Sequence, residues 1–307
     1  MLCKAFTIGV MMKIKKPTGI SGLDIMLKGG IPSGNQVILE GGPGAGKTLL
    51  GFEFLYRGAE KGENGILFSF EEDQEDIIEN AKAAFSSFTQ IDSFLEKGKL
   101  TILGSEDTKQ YVQKNRDGNA YTFSSFISDI DSMIRTHEAK RIVMDSISVI
   151  KLFIPLILDY RSLSISLSSV LKRNNITSLL LIEKSRSEKE DVQYQPESYI
   201  YDGVISLFFS GDDLDNRIPT LEIVKMRGTD HMYSAVPYEI IDTGFNILLL
   251  NQSNLSDIGN QNKNQTTNPQ SPVQTPVQTS KPQTPNTNNT NQGTTQSSNT
   301  PKNQIVF

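Results

Sequence analysis

Residues Gly41, Gly42, Pro43, Gly44, Ala45, Gly46, Lys47 and Thr48 fit the pattern G-x-x-x-x-G-K-[ST] without a mismatch. The chemistry suited to that spacing is the holding of phosphate. Glycines let the backbone curl until successive amides point at phosphate oxygens. The positive end of a following helix adds to that field. A lysine at the seventh position reaches the β- and γ-phosphates of a nucleotide, and a hydroxyl at the eighth ligates Mg²⁺. Gly41 to Leu49 are therefore the ATP-binding candidates, with Lys47 also in a catalytic role and Thr48 as a metal ligand.

Three further places carry charge where such a reaction needs it. Arg141-Ile-Val-Met-Asp145 is an apolar run ending in a carboxylate, which suits Asp145 to the metal's water shell. Phe70-Glu71-Glu72 puts two carboxylates after another apolar run. Glu71 or Glu72 is placed to orient and polarise a water, with Glu71 nearer the run's end. The competing reading is that Glu72 and Asp73 open the next helix, where acids suit the dipole. In Ile223-Val-Lys225-Met-Arg227-Gly-Thr-Asp-His231, Lys225 and Arg227 stand two apart, on one face of a strand. By spacing alone they serve surface carboxylates, a charged edge strand, or a phosphate on an adjacent subunit.

These residues need a scaffold, and the pattern supplies one. Apolar runs at 36–40, 65–70, 100–103, 141–145 and 178–182 alternate with helical periods at 47–61, 74–88, 123–137 and 160–173. Such alternation predicts a mostly parallel sheet covered by helices on both faces. Beyond residue 203 the helices stop. Runs at 204–209, 220–225, 236–240 and 247–250 predict an antiparallel extension of one sheet edge. The motifs then fall at strand ends, where open α/β sheets bind ligands.

Composition bounds the rest. Residues 251–307 hold 12 Asn, 10 Gln, 10 Thr, 6 Pro and 6 Ser, with seven apolar side chains. Such a segment buries too little apolar surface to offset its ordering entropy and is expected to be a disordered tail. Its terminal Ile305-Val306-Phe307 is a docking motif in prospect for a protein partner. The expected division is a flexible 1–13, a 14–250 domain and a 251–307 tail. Net charge is −5 overall; the tail carries +2, leaving −7 on the rest. An acidic domain is a poor match for DNA. Cys3 is the only cysteine, so no intrachain disulfide forms, in keeping with the cytoplasm. No run is long enough to span a membrane: Ile147–Leu158, the most apolar, is interrupted by Lys151 and Pro155 and reads as a buried contact. Glu188–Asp191 reads as a solvated loop, and His137 as a helix C-terminal residue.

Together these pieces resemble the KaiC family, a branch of the RecA-like P-loop ATPases, from about Ile14 to Leu250. Thr18-Gly-Ile-Ser-Gly-Leu-Asp24 and Gly29-Gly-Ile-Pro-Ser-Gly34 are like the family's lead into its P-loop. Glu71-Glu72, Met144-Asp145-Ser146 and Lys225-Met-Arg227-Gly-Thr229 with His231 match its paired glutamates, Walker B acid and K-x-R-G-T segment. Glu183-Lys184 stands where the family's ATPase half has Glu-Arg. The resemblance implies a self-associating, usually hexameric ring with ATP and Mg²⁺ between subunits. Lys225 and Arg227 would then reach the neighbour's γ-phosphate in trans. It departs from circadian KaiC in carrying one such domain. In Glu197–Gly203, Tyr199 replaces the threonine of the kinase half's phosphoacceptor pair, with Ser198 beside it. The expected function is a nucleotide-driven switch in signalling or regulation. The alternatives are a recombinase-like DNA repair accessory ATPase, a Ser/Thr autokinase and an ATP-sensing scaffold without useful turnover.

Overall fold

The structure, a computed structural model, describes residues 13–108, 123–152, 157–184, 197–211 and 217–249. The expectations for the N-terminus with Cys3, Glu188–Asp191, Leu250, and the tail with Ile305–Phe307 lie outside the described residues. Two-residue strands β1 (Lys15–Lys16) and β2 (Ile31–Pro32) form a small ribbon around helix α1 (Ser21–Met26). The main sheet contains β3 (Gln36–Gly41), β4 (Gly65–Ser69), β5 (Leu100–Leu103), β6 (Arg141–Asp145), β7 (Thr177–Glu183), β8 (Gly203–Ser210), β9 (Ile218–Met226), β10 (Val236–Ile241) and β11 (Gly244–Ile247). Its order is β11-β10-β9-β8-β3-β7-β6-β4-β5. From β8 to β5 all pairs are parallel; β9, β10 and β11 add on antiparallel. This is the RecA-like α/β architecture with the antiparallel extension expected from the sequence.

The central strands read as continuous apolar runs because both of their faces are covered. Alternate residues serve opposite cores. Val37, Leu39, Leu67, Val143, Leu179 and Leu181 face α2 (Lys47–Glu60), α3 (Gln74–Ala84) and α4 (Ile91–Glu96). Ile38, Ile66, Phe68, Ile142, Met144 and Leu180 face α5 (Phe123–Thr136) and α7 (Ile157–Arg173). The helices answer at helical spacing, with Phe126, Ile130 and Ile134 on α5 and Leu163, Leu167 and Leu171 on α7. Helix α2 lies close on the sheet: a Cβ at Gly51 would meet Val143 Cγ1 at 2.9 Å.

Arg141, fully buried, ties the lead-in segment to this core. Its Nε donates to Glu63 Oε2 at 2.6 Å, and its other nitrogens donate to the Pro17, Thr18 and Phe54 carbonyls. Asp24 holds the same segment by accepting from Thr18 N, Thr18 Oγ1 and Gly19 N.

Several boundaries differ from expectation. The last strand is Gly244–Ile247 and not 247–250, because a tight turn pairs Ile241 with Gly244. Gly244, at φ +121°, takes a backbone shape that other residues avoid. Helix α3 stops at Ala84 and not at 88: Phe85 and Phe88 turn in and stack, with Phe88 against Tyr56 at 4.1 Å. The apolar stretch beginning at Ile147 forms α6 (Ile147–Leu152), with Ile147 in the core, before α7 begins at Ile157. Its intervening residues are not described. The one-turn helix α8 (Glu197–Ile200) precedes β8. His137 lies just past α5, and its ring faces Thr101 Oγ1 at 3.2 Å. Elements as short as α1, α4 and α8 give too few residues for periodicity to register.

One buried acid joins α2 to the sheet extension. Glu53 Oε2 accepts the Phe245 amide at 2.7 Å, and Arg57 Nε approaches Oε1 at 3.3 Å. Burial pushes the Glu53 carboxyl up to about 7, against the opposing pull of the Phe245 amide and Arg57, with Glu60 nearby adding to the rise. The folded state thus favours the protonated form. Its contribution is full below the ordinary glutamate pKa and is lost as pH rises through about 7. Glu53→Gln keeps an acceptor and removes the titration. It should flatten the fall in folding stability between pH 5 and 8 by about 2 kcal/mol, read from urea unfolding at each pH. An unchanged pH profile would exclude Glu53 as the source.

Candidate active site

The C-terminal ends of β3, β7, β6 and β4, adjacent in that order, meet at one edge of the sheet. From β3 the chain enters the glycine loop. Gly44 and Gly46 have φ of +76° and +81°, which a side chain at either position would strain. Gly46 is the N-cap of α2, and the first helical bond runs from Leu50 N to Gly46 O at 2.9 Å. The amides of Gly46, Lys47, Thr48 and Leu49 therefore have no acceptor within the helix. Lys47 Nζ donates to the Gly42 carbonyl at 3.1 Å, so the ammonium lies over the loop. Pro43 and Gly44 are exposed, Ala45 is buried, and Leu49 packs at the rim of the core.

Thr48 Oγ1 donates to Asp145 Oδ2 at 2.5 Å, joining the loop to the end of β6 across the intervening β7. A hydroxyl and a carboxylate side by side are the hard oxygen donors that Mg²⁺ prefers. Among the described residues no cluster of three or more His, Cys, Asp or Glu side chains forms a metal cage.

β4 pairs with β6 so that Ser69 stands opposite Asp145, and the Phe70 amide donates to the Asp145 carbonyl at 2.7 Å. This brings Glu71 and Glu72 beside Asp145. Glu72 N donates to Ser69 Oγ at 2.9 Å, holding the turn. Helix α3 begins only at Gln74, with Asp73 at its N-cap, so Glu71 and Glu72 both lie ahead of the helix and beside the loop. Burial raises the Asp145 carboxyl to about 6, with Glu72 and Glu183 adding repulsion while the Thr48 hydroxyl and Lys47 oppose it. Glu71 is raised for the same reasons: burial first, then Asp145 and Glu183. Four carboxylates thus act on one another with Lys47 as the cation among them.

Glu183 closes β7 between the loop and Asp145, and Lys184 reaches back to Glu40 Oε1 at 2.8 Å. Its place on β7 put Glu183 here, a position the sequence marked only through resemblance. The wall behind the loop was missed altogether: a Cβ at Gly46 would meet Ile240 Cδ1 at 2.8 Å and Phe245 Cζ at 3.1 Å. Both residues lie in the antiparallel extension, about 200 positions away in the chain, and no local pattern announces them.

Lys225 and Arg227 do not join this site. β9 runs antiparallel to β8, placing Lys225 opposite Val204 and Met226 opposite Gly203. Gly203 is level with Val37, at the opposite end of β3 from the loop. Lys225 is therefore about 10 Å below Gly41 along the strand direction, and two strands away from β3. Although β9 ends at Met226, the two cations converge, as same-face residues should. Lys225 Nζ donates to the Ser198 and Tyr201 carbonyls at 2.6 and 2.7 Å, and Arg227 Nη2 to the Tyr199 carbonyl at 3.1 Å. Neither forms an ion pair among the described residues, although Asp202 lies close enough to act on Lys225. His231 is buried, with its ring 4.6 Å from that of Tyr233.

The family model described as "ATPase: KaiC" matches residues 16–252. The circadian clock oscillator protein KaiC of Parathermosynechococcus lividus is 35% identical over 248 residues, which are 79% of this chain and 44% of that protein. The protein of the same name from Synechococcus elongatus is 32% identical over 246 residues, 79% of this chain and 46% of its own. The chain thus spans about half the length of the curated relatives it matches. Among solved structures, a KaiC-like protein from the hyperthermophilic archaeon Pyrococcus horikoshii OT3 superposes with a TM-score of 0.64 at 28% identity. That match covers 77% of this chain and 100% of the other. Among the described residues no helix is long and apolar enough to cross a membrane.

Lys47→Ala removes a charge-assisted contact from the cradle. It should weaken ATP binding about 10- to 100-fold in equilibrium titration, with the unliganded protein still folded. Unchanged affinity would take Lys47 out of the site.

Proposed function

The chain belongs to the KaiC family of ATPases, and on that premise we propose that it is a Mg²⁺-dependent ATPase whose reaction is completed between copies of the chain. The single observation that carries this reading is the separation of Lys225 and Arg227 from their own glycine loop. They stand at the far end of the sheet, about 10 Å away along the strands, bonded only to carbonyls among the described residues. The loop meanwhile faces an excess of carboxylates. A polyphosphate brought to such a site needs positive charge from outside it. Mg²⁺ would supply part, neutralising charge between the β- and γ-phosphates. A neighbouring copy's Lys225 and Arg227 would supply the rest.

In this reading the amides of Gly44 and of Gly46 to Leu49, with the Lys47 ammonium, hold the phosphates. Thr48 and Asp145 hold the metal and its water shell. Glu71 orients the attacking water, its carboxyl raised towards the range useful for a base, and Glu72 supports it. Copies arranged head-to-tail close into a ring, and six is the number the family resemblance suggests. Turnover would make and break the bridge between copies, which suits a cytoplasmic switch in signalling or regulation, with a protein partner engaged through the tail.

Arg227→Ala should leave ATP binding within severalfold of wild type and lower turnover about 10³-fold. Lys47→Ala should be inactive for a different reason. Mixing the two inactive variants should recover part of the phosphate release, because one copy supplies the loop and the other the cation. Light scattering with and without Mg·ATP reports the assembly. A monomeric protein in which Arg227→Ala hydrolyses normally would sink the shared site. Glu71→Gln should cut turnover about 10²- to 10⁴-fold while keeping ATP bound. If Glu72→Gln is instead the more damaging change, their roles are exchanged.

A further inference from the structure

We propose that Tyr238, on β10, is a positioning residue for the phosphate cradle: its hydroxyl holds the Ala45 carbonyl behind the loop and thereby aims the Gly46 amide at the phosphates. The inference rests on the nucleotide reading of the loop given above. The phenol donates to Ala45 O at 2.6 Å, and both residues are buried, at 3% and 2% exposure. A trans peptide is planar, so its carbonyl and the next N–H point in opposite directions. Fixing the Ala45 carbonyl towards the sheet extension turns the Gly46 N–H the other way, into the loop. That amide has no acceptor among the described residues. Ala45 N, by contrast, is spent inside the loop on Gly42 O.

The phenol is itself held in place. Its ring stacks on Phe245, with centroids 5.4 Å apart and planes 30° from parallel, and Tyr238 pairs with Ile247 across the hairpin. Phe245 is anchored through its amide to Glu53 in α2, the helix that begins with Lys47 and Thr48. The chain of contacts is therefore closed, from α2 through Phe245 and Tyr238 to the loop and back to α2. Burial pushes the Tyr238 phenol up to about 12, so it remains a donor at any working pH. Without the hydroxyl, the buried Ala45 carbonyl loses its partner and the peptide its anchor on that side.

The test uses the full chain with Tyr238→Phe, which keeps the ring against Phe245 and deletes only the donor. Binding of Mg·ATP and of inorganic tripolyphosphate is titrated alongside steady-state hydrolysis and unfolding of the unliganded protein. The expected result is about tenfold weaker binding of both ligands, a KM raised by the same factor and kcat within about twofold. Tyr238→p-aminophenylalanine, which retains an N–H donor at the same place, should recover wild-type affinity for both ligands. It also serves as the test if the Phe variant does not fold. Wild-type affinity in Tyr238→Phe overturns the proposal, even where its unfolding midpoint falls, since the bond would then stabilise the fold without aiming the amide. So does an amino variant that folds and binds weakly. Wild-type protein that binds neither ligand would instead remove the nucleotide reading of the loop.

Discussion

The repulsion among Glu71, Glu72, Asp145 and Glu183 is the constraint around which the rest of the structure is arranged. They stand at the ends of three neighbouring parallel strands, where burial first, and then the neighbouring carboxylates, raise the proton affinity of Glu71 and Asp145. A parallel sheet brings them together because its strands all end on the same edge. Lys47 opposes the rise at both Glu71 and Asp145. The Thr48–Asp145 bond shows how the fold handles part of this, with a hydroxyl donating to the Asp145 carboxylate.

The antiparallel extension then has two roles at its two ends. Near the loop, Ile240, Phe245 and Tyr238 close the wall behind Ala45 and Gly46. At the far end, β9 carries Lys225 and Arg227 to the carbonyls of residues 198, 199 and 201. Between these ends β8 and β9 share a long register, interrupted by a bulge at Val204/Ile205.

The sequence by itself determined the parts whose physics is local. A complete glycine-lysine-threonine run needs a curled backbone ahead of a helix, and it has one. The strands 100–103 and 141–145 fall where the apolar runs put them, since continuous apolar runs of that length have few other places to go. The separation of Lys225 and Arg227 by one residue was enough to foresee that they lie together, and they reach neighbouring carbonyls. Boundaries were less legible. Helix α3 ends early because Phe85 and Phe88 find better burial against Tyr56, and the last strand starts early because Gly244 allows a tight turn. Propensity gives way to packing in both places.

Only the tertiary structure decided which distant groups meet. It set Glu183 between the loop and Asp145, because β7 inserts between β3 and β6, an order no local pattern encodes. It put Tyr238 on the Ala45 carbonyl and Phe245 on Glu53, contacts 193 and 192 residues apart in sequence. It also placed the cationic pair at the end of the sheet away from its own loop. The reason is common to all three. Local sequence fixes backbone shape and the direction of side chains, whereas strand order and register are set by how the whole chain buries its apolar faces.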